Sequence, residues 1–244
     1  MRINRNHEEQ GGIMKVGIIG AGNIGSALAR RLTTIGHEVS IANSRGPETI
    51  QNLAAETGAH AVPATEAAKD ADIVIVTIPQ KNIMDLPTGL LNGAAAGAAF
   101  VDTGNYYPRQ RDGRIDAIET GTPETLWVQG QLGQPMVKAL NNIVAPHLQS
   151  LGKPAGTPGR IALPVAGDDS AAKAKVSALI EELGFDVVDA GGLDESWRQQ
   201  PGSPVYLADL GAEGVRNALA AASSDRPEEF RATASSPGTY ADPA

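Results

Sequence analysis

The chain has 244 residues, of which 41% are hydrophobic, enough to bury a proper core in one large or two small domains. A formal net charge of -8 disfavours a sequence-independent grip on nucleic acid, and the absence of cysteine excludes disulfides, thiolate catalysis and cysteine metal sites. The four histidines (His7, His37, His60 and His147) show no ligand spacing, so no metal site is expected. No apolar run approaches the roughly 18 residues that a membrane-spanning helix needs. The polar opening "MRINRNHEEQGG" lacks the apolar core of a signal peptide, so a soluble, cytoplasmic protein is expected.

In chain order, residues 1–13 read as a disordered leader. Lys15 to Ile19 ("KVGII") reads as a buried strand. Asn23 to Ile35 then carries Ile24, Ala27, Leu28, Arg31, Leu32 and Ile35 at helical spacing, with Arg31 alone interrupting the apolar face and Gly36 as a stop. Glu38 to Ala42 predicts the second strand, and Pro47 to Glu56 a helix with proline in its first turn. A weak strand at His60 to Val62 and a short helix around Thr65 to Lys69 follow. Asp72 to Ile78 ("DIVIVTI") is the continuous apolar run of a central parallel strand buried on both faces. Ala98 to Asp102, Pro135 to Leu140, Arg160 to Val165 and Phe185 to Val188 predict further strands, and Ser170 to Leu183 a late helix with Asp168 as its cap. Strands alternating with helices predict an α/β fold with a mainly parallel sheet. The loop-like "SLGKPAGTPG" suggests a boundary near residue 150, which divides the chain into residues 14–150, a smaller C-terminal lobe over 151–222, and a flexible tail over 223–244.

The chemistry begins at Gly20-Ala21-Gly22-Asn23-Ile24-Gly25, a G-x-G-x-x-G placed directly after a strand and opening a helix. Gly20 permits the tight turn, Gly22 lets the backbone approach a pyrophosphate, and Gly25 lets helix and strand pack closely. The helix N-terminus then holds the anion. Strand two runs out at Asn43, 18 residues past Gly25, where an NAD enzyme carries an acidic residue for the ribose 2′-hydroxyl. Here Asn43, Ser44 and Arg45 offer an amide, a hydroxyl and a planar cation suited to a 2′-phosphate. The stretch therefore predicts NADP(H).

Ligands of such sheets lie beyond the carboxyl ends of the strands. Ile78 and Pro79 are candidates to wall the nicotinamide, although Pro79 equally serves to end its strand. Asn105, Tyr106 and Tyr107 lie at the next exit, where either tyrosine contacts substrate or plugs a core edge. "VKALNN" supplies Lys138, Asn141 and Asn142 at the exit after that. Lys138, Asn141 and Tyr106 are the catalytic candidates, with a plain ion pair as the competing role for Lys138. The polar stretch at Trp197 and Arg198 reads as a loop that closes over a cleft between the two halves.

"GIIGAGNIGSALARRL", "GHEVSIANSRGPETI", "VIVTIP", "VKALNN" and "AGDDSAAKAKVSALIEELGFDVVDAG" together resemble the NADPH-dependent reductases of the deazaflavin coenzyme F(420). The resemblance runs from about Met14 to Trp197. It implies a Rossmann-type doubly wound sheet with a smaller C-terminal α/β lobe, NADP(H) on the glycine turn, a deazaflavin or flavin over the nicotinamide, and a homodimer. Two segments depart from the family: "NYYPRQRDGRID" and "SWRQQPGSPVYLADLGAEG". Three function classes follow: hydride transfer between NADPH and a deazaflavin or flavin; reduction of a small carbonyl or imine with Lys138 or Tyr106 as proton donor; and NADP sensing without turnover.

Overall fold

A computed structural model describes residues 12–236, so most of the expected leader and residues 237–244 of the expected tail lie outside the described residues. Eight strands form a sheet in the order β3-β2-β1-β4-β5-β6-β7-β8. The first six are β1 (Lys15–Ile19), β2 (Glu38–Ala42), β3 (His60–Ala61), β4 (Ile73–Val76), β5 (Ala99–Asp102) and β6 (Met136–Lys138). All neighbours among them pair parallel, giving the 3-2-1-4-5-6 order of a dinucleotide fold. The α/β expectation with a mainly parallel sheet is met.

Residues 151–222, expected as a smaller lobe, add β7 (Ala162–Gly167) and β8 (Asp186–Asp189) to the same sheet. β7 runs antiparallel to β6, with Val137 opposite Gly167 and Lys138 opposite Ala166, and β8 is parallel to β7. A reversed β7 turns its N-terminal end toward the edge where β1, β4, β5 and β6 finish. The stretch 223–236, expected within a flexible tail, is tied to the body. Arg109 donates to the Glu228 and Arg231 carbonyls, and Ala232 N–H donates to Glu119.

Strand residues alternate between two apolar layers. Val16, Ile18, Ile73, Ile75 and Val101 side with α1 (Asn23–Thr34) and α6 (Ser170–Glu182). Ile19, Val74, Val76 and Phe100 side with α4 (Glu124–Leu132) and the turns around it. α7 (Ala212–Ala220) covers β7 and β8 through Val215, Ala218 and Leu219.

Arg31, the interruption in the apolar face of α1, donates to the Leu183 carbonyl at 2.6 Å and to the Gln149 carbonyl at 3.3 Å. It thereby meets the unpaired carbonyls at the ends of α6 and of α5 (Ala145–Ser150). Arg160 does the same from the other side, donating to the carbonyls of Glu181 and Gly184 while pairing with Asp186. That task holds Arg160 out of the sheet, and β7 begins two residues later than expected.

The cap of α6 also moves by one residue. Asp169, not Asp168, accepts from Ala171 and Ala172 N–H, at 2.8 and 3.1 Å. Asp168 instead accepts from Leu193 N–H and ties this turn to the 3-10 helix Leu193–Gln199. Loss of an N-cap carboxylate typically removes about 1 kcal/mol. Asp169→Ala is therefore expected to lower stability by that amount in a urea titration, with an unchanged slope.

Candidate dinucleotide site

The glycine turn joins β1 to α1 at the point where strand order reverses, between β1 and β4. Gly20 has φ +120°, a conformation that L side chains rarely adopt, and a Cβ there would stand 2.2 Å from the Thr77 carbonyl oxygen. A Cβ on Gly25 would stand 1.9 Å from the Gly20 carbonyl oxygen. These two glycines are demanded by the fold. Gly22 is not: its φ is -78°, and a Cβ would find no atom within 4 Å. It is the N-cap of α1 with no side-chain cap, and no acidic residue occupies the first turn. The helix end thus presents backbone N–H groups and positive potential toward open space, flanked by Ala21, Asn23 and Ile24.

The turn after β2 is held by Asn43, which is half-buried. Its Oδ1 accepts from Arg45 N–H at 3.1 Å, and its Nδ2 donates to Thr49 Oγ1 at 2.7 Å. Ser44 and Arg45 stand exposed at the tip. On the far side of the glycine turn, half-buried Ile78 and Pro79 follow β4, and Ile78 packs directly on Gly20. The sequence-predicted cofactor residues therefore gather at one edge of the sheet.

The catalytic candidates lie at and just beyond the ends of β5 and β6. Lys138 ends β6 fully buried, and its Nζ donates to the Gly104 carbonyl at 2.7 Å and to Glu124 at 3.3 Å, with Asp102 at 4.0 Å. Glu124, itself fully buried, also receives Arg226 at 2.8 Å. Lys138 is thus ion-paired with Glu124. Tyr106 is likewise fully buried, and its hydroxyl accepts from Ile115 N–H at 2.8 Å. Burial pushes its phenol well above the ordinary tyrosine range. Tyr106 plugs the core edge. Tyr107 meets Tyr206 hydroxyl to hydroxyl, which joins the two segments that depart from the family.

Leu140, two residues past the end of β6, takes a left-handed φ of +62° and turns Asn141 and Asn142 back toward Gln199. Asn141 Nδ2 donates to Asn105 Oδ1 at 3.0 Å and to the Gln199 carbonyl at 2.7 Å, and Asn142 donates to the same carbonyl. Gln199 returns a bond to Asn141 Oδ1 at 3.1 Å. Asn105 is half-buried, so this amide cluster reaches the surface there. Gln80, after Pro79, is fully buried with both amide atoms unpartnered. Arg198 pairs with Glu195 and lies 5.0 Å over the Trp197 ring, rather than over the strand exits. Glu124 is not among the expected residues, and Gln199 falls in the expected polar loop without a role of its own. A Pro-Glu helix start offered a signal for Glu124, whereas Gln199 carries none.

Among the described residues, no group of three or more acidic or histidine side chains is placed to hold a metal ion, and no helix is long and apolar enough to cross a membrane. Residues 15–106 match the family model described as NADP oxidoreductase, coenzyme F(420)-dependent. Over that stretch the chain matches this family.

Crystal structures extend the likeness beyond residue 106. A hypothetical protein from Sinorhizobium meliloti is 33% identical with a TM-score of 0.68, covering 82% of this chain and 95% of that one. A candidate F(420)-dependent NADP reductase from an Arthrobacter species is 26% identical with a TM-score of 0.60, covering 74% and 86%. Among curated relatives, the Escherichia coli protein YjhV is 44% identical over 66 residues, 27% of this chain and 48% of its own. The 3-sulfolactaldehyde reductase of Escherichia coli is 27% identical over 101 residues, 40% and 34% of the two chains. The chain thus spans about half the length, or less, of the curated relatives it matches.

Proposed function

We propose that this protein passes a hydride between NADPH and a second ring cofactor, a deazaflavin of the F(420) type or a flavin. The observation that carries this reading is the enclosure of both candidate proton donors. Lys138 is spent on Gly104, Glu124 and Asp102, and the Tyr106 hydroxyl is buried against Ile115. Carbonyl reduction needs a proton delivered to a developing alkoxide, whereas hydride transfer between stacked rings asks mainly for positioning. NADPH, when bound, supplies the hydride. The glycine turn, Ser44 and Arg45 would hold its phosphates, Ile78 and Pro79 would wall the nicotinamide, and Asn105 and Asn141 would border the second ring. A homodimer, as in the family resemblance, completes the proposal and is read by light scattering.

The deciding experiment follows NADPH oxidation with a deazaflavin, with FMN, and with a panel of small carbonyls and imines. Turnover with a ring acceptor alone is the expected result. Turnover confined to the carbonyl and imine panel would overturn the reading, and silence with every acceptor beside tight NADP binding would favour a sensor. Cofactor choice is tested separately. NADP(H) is expected to bind at least about tenfold more tightly than NAD(H), since a charge-assisted bond to phosphate exceeds a neutral one. Arg45→Ala is expected to cost about 1–3 kcal/mol of NADP affinity and to spare NAD, as measured by calorimetry. Equal affinities in the unmodified protein contradict it.

A further inference from the structure

Segments 118–122, 197–204 and 221–231 enclose a cavity of about 400 Å³, none of whose lining residues belongs to the glycine turn or the Asn43–Arg45 turn. We propose that this cavity is a second binding site, for a small molecule that carries a carboxylate or phosphate on an apolar body, with Arg226 and Ser203 receiving the oxyanion. The proposal is independent of the cofactor reading above.

The argument starts from unmet donors. Arg226 uses one guanidinium nitrogen, Nη2, on Glu124 at 2.8 Å and on Gln200 at 2.5 Å. Its Nη1 is buried without a partner, and so is the Ser203 hydroxyl. Both residues line the cavity. Buried donors left unpaired are costly, and turning these two toward the adjacent cavity would give them a partner there. One of the two donors is cationic, so the complementary group is an oxyanion, which a guanidinium edge and a hydroxyl bind together.

The other charges of the wall are Glu119, Asp225 and Arg231. Glu119 is occupied by Ala232 N–H at 2.8 Å, while Asp225 is exposed on the rim together with Arg231. Ile118, Pro204 and half-buried Trp197 supply apolar wall, which sets the chemistry of the ligand's body. The volume lies within the range of small-molecule sites, about 300–1,000 Å³.

Calorimetric titration with phenyl phosphate, benzoate and neutral benzyl alcohol tests the site. The protein is first saturated with NADP+, so that the glycine turn and Arg45 are occupied. Should NADP+ not bind, the Arg45→Ala protein serves instead, and failure of the cofactor reading leaves this test intact. At least one aryl anion is expected to bind with a Kd of about 1 mM or tighter, and benzyl alcohol not at all. Preference between the two anions identifies phosphate or carboxylate as the natural group. Arg226→Lys keeps a cation for Glu124 but loses the fork, and is expected to weaken binding about tenfold. Ser203→Ala, which removes no existing side-chain bond, is expected to weaken it several-fold and carries the test if the lysine variant misfolds. The idea is overturned if neither anion binds at about 10 mM, if the alcohol binds equally well, or if both substitutions are silent.

Discussion

Gly22→Val is expected to abolish NADP(H) binding in a protein that still folds. The free chain has no objection to a side chain at this position, because φ is -78° and a Cβ meets nothing within 4 Å. A pyrophosphate drawn to the N-terminus of α1 needs that same space. Affinity should fall by about 100-fold or more, close to 3 kcal/mol, while the melting temperature stays near its original value. Gly20→Ala and Gly25→Ala make the contrasting pair. Their methyl groups would stand 2.2 and 1.9 Å from backbone oxygens, so these variants should lose stability whether or not cofactor is present. Undiminished NADP+ binding by a folded Gly22→Val protein would falsify the assignment of this turn.

Lys138→Ala should cost about 3–5 kcal/mol of stability, because removing one partner of a buried pair leaves its countercharge unmatched. Glu124 and Asp102 are 0% and 1% exposed, so water cannot take the place of the ammonium. The double variant Lys138→Met with Glu124→Gln removes both charges and should lose less than the sum of the single changes. It also separates stability from chemistry. With Lys138 as a positioning group that fixes the Gly104 carbonyl, the folded double variant should turn over within a fewfold of the original. A lysine that delivered a proton would show a loss of ~100-fold or more. A single-variant cost below ~1 kcal/mol, in the range of exposed pairs, would mean that the network is hydrated.

What could be read from the sequence was local and periodic. "KVGII" and "DIVIVTI" announce buried strands, because parallel strands covered on both faces read as unbroken apolar runs. The glycine turn is legible because its function rests on backbone geometry at fixed spacing. α4 gave no comparable signal: "ETLWVQGQL" mixes apolar and polar residues without a clean face and carries a glycine inside. Missing α4 meant missing Glu124, so the ion pair weighed for Lys138 had no named partner. The same limit applies to Gln199, which lies 58 residues from Asn141 and meets it only because β7 reverses direction beside β6. Asp168 and Asp169 show a milder version. Either can cap by composition, and only the position of Leu193 decides which one does.

The way Asn43 ties down its turn bears on how readily such a protein changes its cofactor over evolutionary time. Its oxygen accepts from Arg45 N–H and its nitrogen donates to Thr49, whose hydroxyl is directed to the Gly46 carbonyl. An aspartate has the same outline, keeps the first bond, and can receive the Thr49 hydroxyl on its second oxygen. The loop could therefore acquire the acidic group typical of NAD enzymes without any backbone change. A single base change in the codon suffices for that exchange. Lineages built on this turn can drift between the two nicotinamide pools through intermediates that stay folded, which is the condition for selection to act on the preference itself.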